Sequence, residues 1–304
     1  KFVERSQPRA KRYTGLLKKM DLEQKSIERI KMASDMSLHH YGKPLVCTYS
    51  GGKDSDVMLE LFKRSGVPFE VVNSHTTVDA PPTVYHIRDV IKDLGQQGIK
   101  CEIHRPELTM WELIEKNKYP PTRCQRYCCE ELKENTVKNR FVATGVRWAE
   151  SKNRTGREAI EPKGKKVAEK IKAMNNNDRK RVLIERCEIK SDMILNPIIE
   201  WKDSDIWDFY WNECQKHNPL YKMGYYRVGC IGCPMAGKHR WKEFADFPTY
   251  QRAYIKAFEK ILDAIHAVGK STKWKSGEDV FRWWMEDDNV DGQMSFRDYL
   301  EEIP

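Results

Sequence analysis

The clearest chemistry in this chain lies in Leu45–Ser55, LVCTYSGGKDS. Ser50-Gly51-Gly52-Lys53-Asp54-Ser55 places two hydroxyls, an ammonium, a carboxylate and two glycines in six residues. Glycine lets the backbone come close to a ligand and tolerates conformations other residues avoid. Consecutive N–H groups at the start of a helix form an anion site, and the helix dipole reinforces it. The stretch is therefore expected to hold phosphate. It is not a Walker A loop, which carries a further glycine upstream and Ser or Thr directly after its lysine. Here Asp54 follows Lys53.

Cysteine supplies the second signal. Cys128-Cys129 and Cys230-x-x-Cys233 are two pairs far apart in the chain. A C-x-x-C turn brings two thiolates to one metal, and a second pair completes a four-thiolate site. Thiolates are soft ligands that suit iron–sulfur or zinc, and buried free thiols are the alternative. Cys47, Cys101, Cys187 and Cys214 read as ordinary thiols. Cys124, between Arg123 and Arg126, has a setting that favours thiolate.

SGGKDS resembles the PP-loop of ATP pyrophosphatases and sulfonucleotide reductases. The adjacent cysteine pair with CxxC resembles the four-iron motif of adenosine phosphosulfate (APS) reductases. Asn196–Trp207, NPIIEWKDSDIW, and Pro219-Leu220-Tyr221 ahead of Gly229-Cys230 resemble the approach to CxxC in phosphoadenosine phosphosulfate (PAPS) reductase-like proteins. Thr144–Arg154, TGVRWAESKNR, resembles their substrate-binding stretch. The resemblance spans roughly residues 40–240. It implies a nucleotide held by Ser50, Gly51, Gly52, Lys53, Asp54, Ser55 and Gly145, with Lys53, Asp54 and Ser55 closest to the chemistry. It implies a second anionic group on Arg147, Ser151 and Arg154, and a 4Fe-4S cluster on Cys128, Cys129, Cys230 and Cys233. ATP is the implied ligand, with Mg2+ offsetting its charge.

These residues need a scaffold. Pro44–Tyr49 is an apolar, β-branched run, and Val57, Met58, Leu61 and Phe62 follow at helical spacing, giving strand, turn, helix. Further strands are expected at Pro68–Asn73, Lys100–His104, Phe141–Val146, Arg181–Cys187 and Met193–Ile199. Helices are expected at Leu22–His39, from Pro82 to about Leu94, at Met110–Lys116, through Glu130–Arg140 and at Asp203–Trp211. This alternation predicts an α/β fold, a doubly wound and mostly parallel sheet of the adenine nucleotide alpha-hydrolase kind, followed by a helical C-terminal region. The expected divisions are a basic arm or helix at 1–40, a nucleotide-binding domain at 41–237 with a basic insertion near 155–180, and helices at 238–304.

The net charge of +9 is unevenly placed. Residues 1–20 carry seven basic residues and one acidic; residues 152–181 carry eleven basic and four acidic. Such segments either attract nucleic acid, DNA or RNA, or form solvated surface. No apolar run is long enough to span a membrane and no signal-peptide pattern opens the sequence, so a cytoplasmic protein is expected.

Three functions fit. One is an ATP pyrophosphatase that adenylates a target for sulfur insertion, similar to the DndC-type component of DNA phosphorothioation systems, with a cysteine desulfurase as sulfur donor; tRNA thiolases are a variant. Another is an APS or PAPS reductase. The last is a non-catalytic module that binds nucleotide or nucleic acid. Reductases resemble one another in a catalytic cysteine near the C-terminus, whereas Cys233 is the last cysteine of these 304 residues. That departure favours the pyrophosphatase.

Overall fold

A computed structural model describes residues 9–134, 137, 139–151, 154–162 and 192–286. The described chain forms two compact units. One gathers residues up to Pro106 together with Glu131–Gly229; the other gathers Glu107–Glu130 and the chain from Cys230 onward.

The first unit is built on six strands: β1 (Leu45–Thr48), β2 (Phe69–Ser74), β3 (Cys101–His104), β4 (Phe141–Ala143), β5 (Ile160–Pro162) and β6 (Met193–Leu195). Their order across the sheet is β3-β2-β1-β4-β6-β5. Every pairing is parallel except β5 with β6. The chain moves outward from β1 to β3, then returns to add β4 on the other side of β1. The edge between β1 and β4 is thus a topological switch point, where crossovers leave in opposite directions and a crevice opens at the strand ends. The loop at Ser50–Ser55 leaves β1 there.

Local chemistry explains the helices. In α2 (Lys53–Ser65), Val57, Met58, Leu61 and Phe62 lie on the buried face. Gly66 stops the helix in the left-handed conformation, φ +69°, which glycine adopts without steric cost. Pro81 opens α3 (Pro81–Gln96), where its missing N–H costs nothing. In α1 (Arg9–Tyr41), Ser26 donates to the Pro197 carbonyl at 3.0 Å and receives the Trp201 indole N–H at 3.0 Å. Lys25 and Arg29 clamp Glu200 at 2.6 and 2.7 Å.

The fold class matches the sequence expectation, and the differences are local. Helix α1 starts at Arg9 rather than Leu22, because helix-favouring Lys, Arg and Leu sustain it where apolar periodicity gives no sign. Strand β5 has only three residues, too short for its alternation of buried and half-buried positions to show as a period in the sequence. The expected strand at Arg181–Cys187 and most of the basic insertion lie outside the described residues.

In the second unit, α4 (Met110–Asn117) joins helices at His239–Asp246, Pro248–Ala267 and Gly277–Met285. Segment 107–130 therefore belongs with the C-terminal helices, although it sits inside the expected nucleotide-binding domain in sequence. Phe244, Tyr254, Phe258, Phe281 and Trp284 form the aromatic core of this unit. Among the described residues, no helix is long and apolar enough to cross a membrane.

Candidate phosphate loop and cysteine centre

The Ser50–Ser55 loop closes around one hydroxyl. Ser55 Oγ donates to the Gly52 carbonyl at 2.8 Å and accepts from the Gly52 and Ser50 N–H groups at 3.2 and 3.3 Å. Gly51 has φ +70°, and a Cβ there would lie 2.6 Å from Ile87 Cγ1. Only glycine fits. Gly52 is different: its φ is −97°, and its Cα faces the Tyr221 hydroxyl and the Val228 carbonyl without crowding. Asn218, fully buried, donates to the Gly51 carbonyl at 2.8 Å and to Thr83 Oγ1 at 3.1 Å. The Lys53 N–H donates to Tyr221 Oη at 2.7 Å. Tyr221 comes from the Pro219-Leu220-Tyr221 segment, marked in the sequence only as family-like; Asn218, the residue before it, carried no signal.

A buried polar cluster anchors the helix that follows. Asp56 accepts from the Tyr49 hydroxyl at 2.5 Å and lies 3.2 Å from His86 Nε2. Burial raises the Asp56 carboxyl above the usual range, while the hydrogen bond and charge of His86 and the bond from Tyr49 oppose that rise.

Lys53 Nζ donates to Asp54 Oδ2 at 2.9 Å and stands 5.2 Å from the Trp207 ring centre. The other Asp54 oxygen accepts Arg147 Nε at 2.6 Å. Arg147 also reaches Asp203 Oδ1 at 2.8 Å and the Trp201 carbonyl at 3.2 Å, and its residue is 1% exposed. Sequence reading offered Arg147 as a donor for a second anion. The structure instead commits its guanidinium to Asp54 and Asp203, because a buried cation needs carboxylate partners to offset lost hydration. Asp203 gave no local signal beyond its place at a helix start. Gly145 lies against the Asp54 backbone, where a Cβ would be 3.4 Å from the carbonyl carbon.

Arg154 is half-buried and pairs with Glu150, whose other bond is to the Arg147 N–H at 2.9 Å. Ser151 is exposed, and its carbonyl accepts the Arg154 N–H at 2.9 Å. Burial lowers the Arg154 pKa, and the charges of Arg157, Arg227 and Arg147 lower it further against the pull of Asp54. Arg157 and Arg227 thus share this neighbourhood; no motif pointed to either.

All four cysteines of the expected centre fall in the second unit. Cys128 and Cys129 lie on a single helical turn, Tyr127–Cys129. In the Cys230–Cys233 turn, the Cys233 N–H donates to the Cys230 carbonyl at 3.2 Å. Gly232 there has φ +75°, and a Cβ would meet Phe244 at 2.7 Å. The Gly232 N–H donates to Glu243 at 2.7 Å. The Cys128 thiol is pushed far up by its hydrogen bond with Cys129, by burial and by the charges of Cys129, Cys230 and Cys233. That crowding of soft donors fits a metal centre, since a cation would relieve it. Yet among the described residues no three Cys, His, Asp or Glu side chains stand in a metal-holding group.

A model of the phosphoadenosine phosphosulfate reductase domain matches residues 44–236. The chain belongs to that family. The PAPS reductase domain so defined contains the phosphate loop, Arg147, Arg154 and all four cysteines. Residues before 44 and the helices beyond 236 lie outside it.

An uncharacterised protein of Methanocaldococcus jannaschii is 28% identical over 257 residues, covering 82% of this chain and 54% of the relative. The chain spans about half the length of that relative and of the next two, at 46% and 48%. An adenosine 5'-phosphosulfate reductase of Bacillus pumilus is 24% identical over 200 residues, covering 64% of this chain and 75% of the relative. Among solved structures, the PAPS reductase of Candida auris in its phosphate complex aligns with a TM-score of 0.41 at 17% identity, over 61% of this chain and 80% of that one.

Proposed function

We propose that this PAPS reductase-family chain binds ATP at Ser50–Ser55 and cleaves it between the α and β phosphates, adenylating a target for sulfur transfer. One observation carries the reading: the loop sits at the sheet's switch point, at the N-terminus of a thirteen-residue helix, with Lys53 inside it. An acceptor atom would bond to the α-phosphorus while the α–β anhydride breaks and pyrophosphate leaves. Lys53, the loop amides, and the Ser50 and Ser55 hydroxyls stabilise the charge that grows on pyrophosphate. Asp54, bonded through both oxygens, orients Lys53. Mg2+, when bound with ATP, screens the phosphates.

Cys128, Cys129, Cys230 and Cys233 would hold a four-iron cluster, which when bound supplies redox or sulfur-handling chemistry. Zinc is the alternative occupant.

A reductase acting on APS or PAPS is the second reading. The named APS reductase relatives favour it. It needs a nucleophilic thiolate. Outside the four-cysteine set, burial pushes the thiols of Cys47, Cys214 and Cys101 up, which disfavours the thiolate. Among the described cysteines outside that set, Cys124 is the exposed one and the thiol a reductase would use.

One preparation tests both readings. With ATP, Mg2+ and a nucleic-acid acceptor, release of pyrophosphate and AMP is expected. With APS or PAPS, thioredoxin and a reductant, no sulfite is expected. Robust sulfite without ATP-dependent pyrophosphate would replace the first reading with the second.

A further inference from the structure

Three buried polar side chains meet next to the phosphate loop. Tyr49 directly precedes Ser50, Asp56 lies in the first turn of α2, and His86 stands on α3. Their exposures are 1%, 6% and 7%, so water does little to screen a charge among them. The Tyr49 hydroxyl donates to Asp56 Oδ1 at 2.5 Å and lies 3.0 Å from His86 Nε2. That nitrogen is also 3.2 and 3.3 Å from the two Asp56 oxygens. With the hydroxyl proton given to Asp56, Nε2 faces three oxygens and serves them as a donor.

The cluster is tied to the loop from two elements. On α2, the Asp56 N–H donates to the Gly52 carbonyl at 3.0 Å. On α3, Thr83 and Ile87 both stand within 3.3 Å of where a Gly51 Cβ would lie. A carboxylate in this turn is favoured by the helix dipole, yet it draws on the same positive end that the loop offers to phosphate. The neighbouring cations are engaged elsewhere: Lys53 and Arg147 bond Asp54, and Arg147 also bonds Asp203. Among the described residues, His86 is the hydrogen-bonded partner of Asp56 that can carry a positive charge. His217 bears on Asp56 through charge, with its own Nε2 at 2.8 Å from the Tyr210 carbonyl. Tyr210 and Cys214 bear on Tyr49 and bring no positive charge.

We propose that His86 is a positioning residue for the phosphate loop: it holds the Asp56 carboxylate and neutralises it, so that the start of α2 keeps its positive end for the triphosphate. His86 acts through Asp56 and without touching the nucleotide. The proposal rests on Ser50–Ser55 being the ATP site.

The test is calorimetry of the full chain with a non-hydrolysable ATP analogue, beside thermal melts, for His86→Gln, Asp56→Asn and the two combined. Glutamine keeps an N–H donor for Asp56 but carries no charge. His86→Gln should therefore bind the analogue about five-fold or more weakly, the order of effect that one uncompensated charge has in a partly buried site. Asp56→Asn removes the charge and keeps the shape, so alone it should bind at least as tightly as the wild type. Added to His86→Gln, it should recover the lost affinity, whatever the pair does to the melting temperature. A purely structural role predicts a double variant that binds no better than His86→Gln. That result, or unchanged affinity in folded His86→Gln, would overturn the proposal. So would a loss of about five-fold in Asp56→Asn alone, which decides the matter even where His86→Gln does not fold. No binding by the wild type would sink the ATP reading, and this proposal with it.

Discussion

Arg147 Nε lies 2.6 Å from Asp54 Oδ1, and the opposite oxygen of that carboxylate takes Lys53 Nζ at 2.9 Å. A buried arginine after β4 therefore holds the carboxylate that holds the loop lysine after β1. The two sides of the switch point are joined through one side chain. The arrangement also keeps Lys53 on Asp54, so phosphate must draw the lysine away or share it.

Loss of the arginine should be costly. Arg147→Ala removes one of the two cations on Asp54 and leaves Lys53 as the other, so the loss should fall at or below the about 3–5 kcal/mol of a fully broken buried pair. Asp203 is the more exposed partner, so Asp203→Ala should cost less. Urea unfolding of both variants checks the order. Equal and small losses would show that the pair adds little.

The two glycines should fail differently. Gly51→Ala forces a side chain into the left-handed region and against Ile87, so unfolding free energy should fall by about 1–2 kcal/mol or more. Gly52→Val should fold nearly as well as the wild type yet bind ATP more weakly, because its side chain occupies the approach of the phosphate. Lys53→Ala should also lose ATP affinity while folding. Calorimetry with a non-hydrolysable ATP analogue, beside thermal melts, separates the cases. Unchanged affinity in folded Gly52→Val and Lys53→Ala would move the nucleotide elsewhere.

The cysteine centre has a chemical test. Protein purified without oxygen should contain iron and sulfide near four of each per chain, with visible charge-transfer absorbance. Cys128→Ser and Cys233→Ser should each lose it, and Gly232→Ala should lower cluster content by distorting the turn. Stoichiometric zinc without iron would assign a structural metal instead.

Acid should weaken the sheet at one known place. Burial alone would raise the Glu70 carboxyl, but the hydrogen bond and charge of Arg140, with those of Lys100, outweigh it and hold the pKa below its ordinary 4.5. A carboxylate lowered in the folded state contributes stability that is present above its unfolded pKa and lost as pH falls through the folded value. The wild type should therefore lose more stability than Glu70→Gln between about pH 5 and pH 3. Urea midpoints at stepped pH check the sign; parallel curves would refute it.

The hexapeptide, its strand and its helix were legible because backbone conformation and hydrophobic spacing are local. Leu45–Thr48 reads as a buried strand and Val57 to Phe62 as a helix face, whatever surrounds them. The cysteine pairs and the alternation of strand and helix were legible for the same reason. Short β5 was not, since three residues carry no period, and its pairing with β6 depends on a partner distant in sequence.

The side-chain partnerships belong to the tertiary structure alone. Sequence analysis placed Arg147 with a second anionic group; folding buries it and bonds it to Asp54 and Asp203, whose charges offset its lost hydration. Tyr221 and Asn218 support the loop across more than 160 residues of chain. The charge of Arg227 bears on Arg154 although the two lie far apart in sequence. Sequence determines which groups a chain owns and which local shapes they prefer. Which of those groups face each other is set by how the sheet stacks its strands, because charge and hydrogen-bond energies depend on distances that spacing along the chain does not contain.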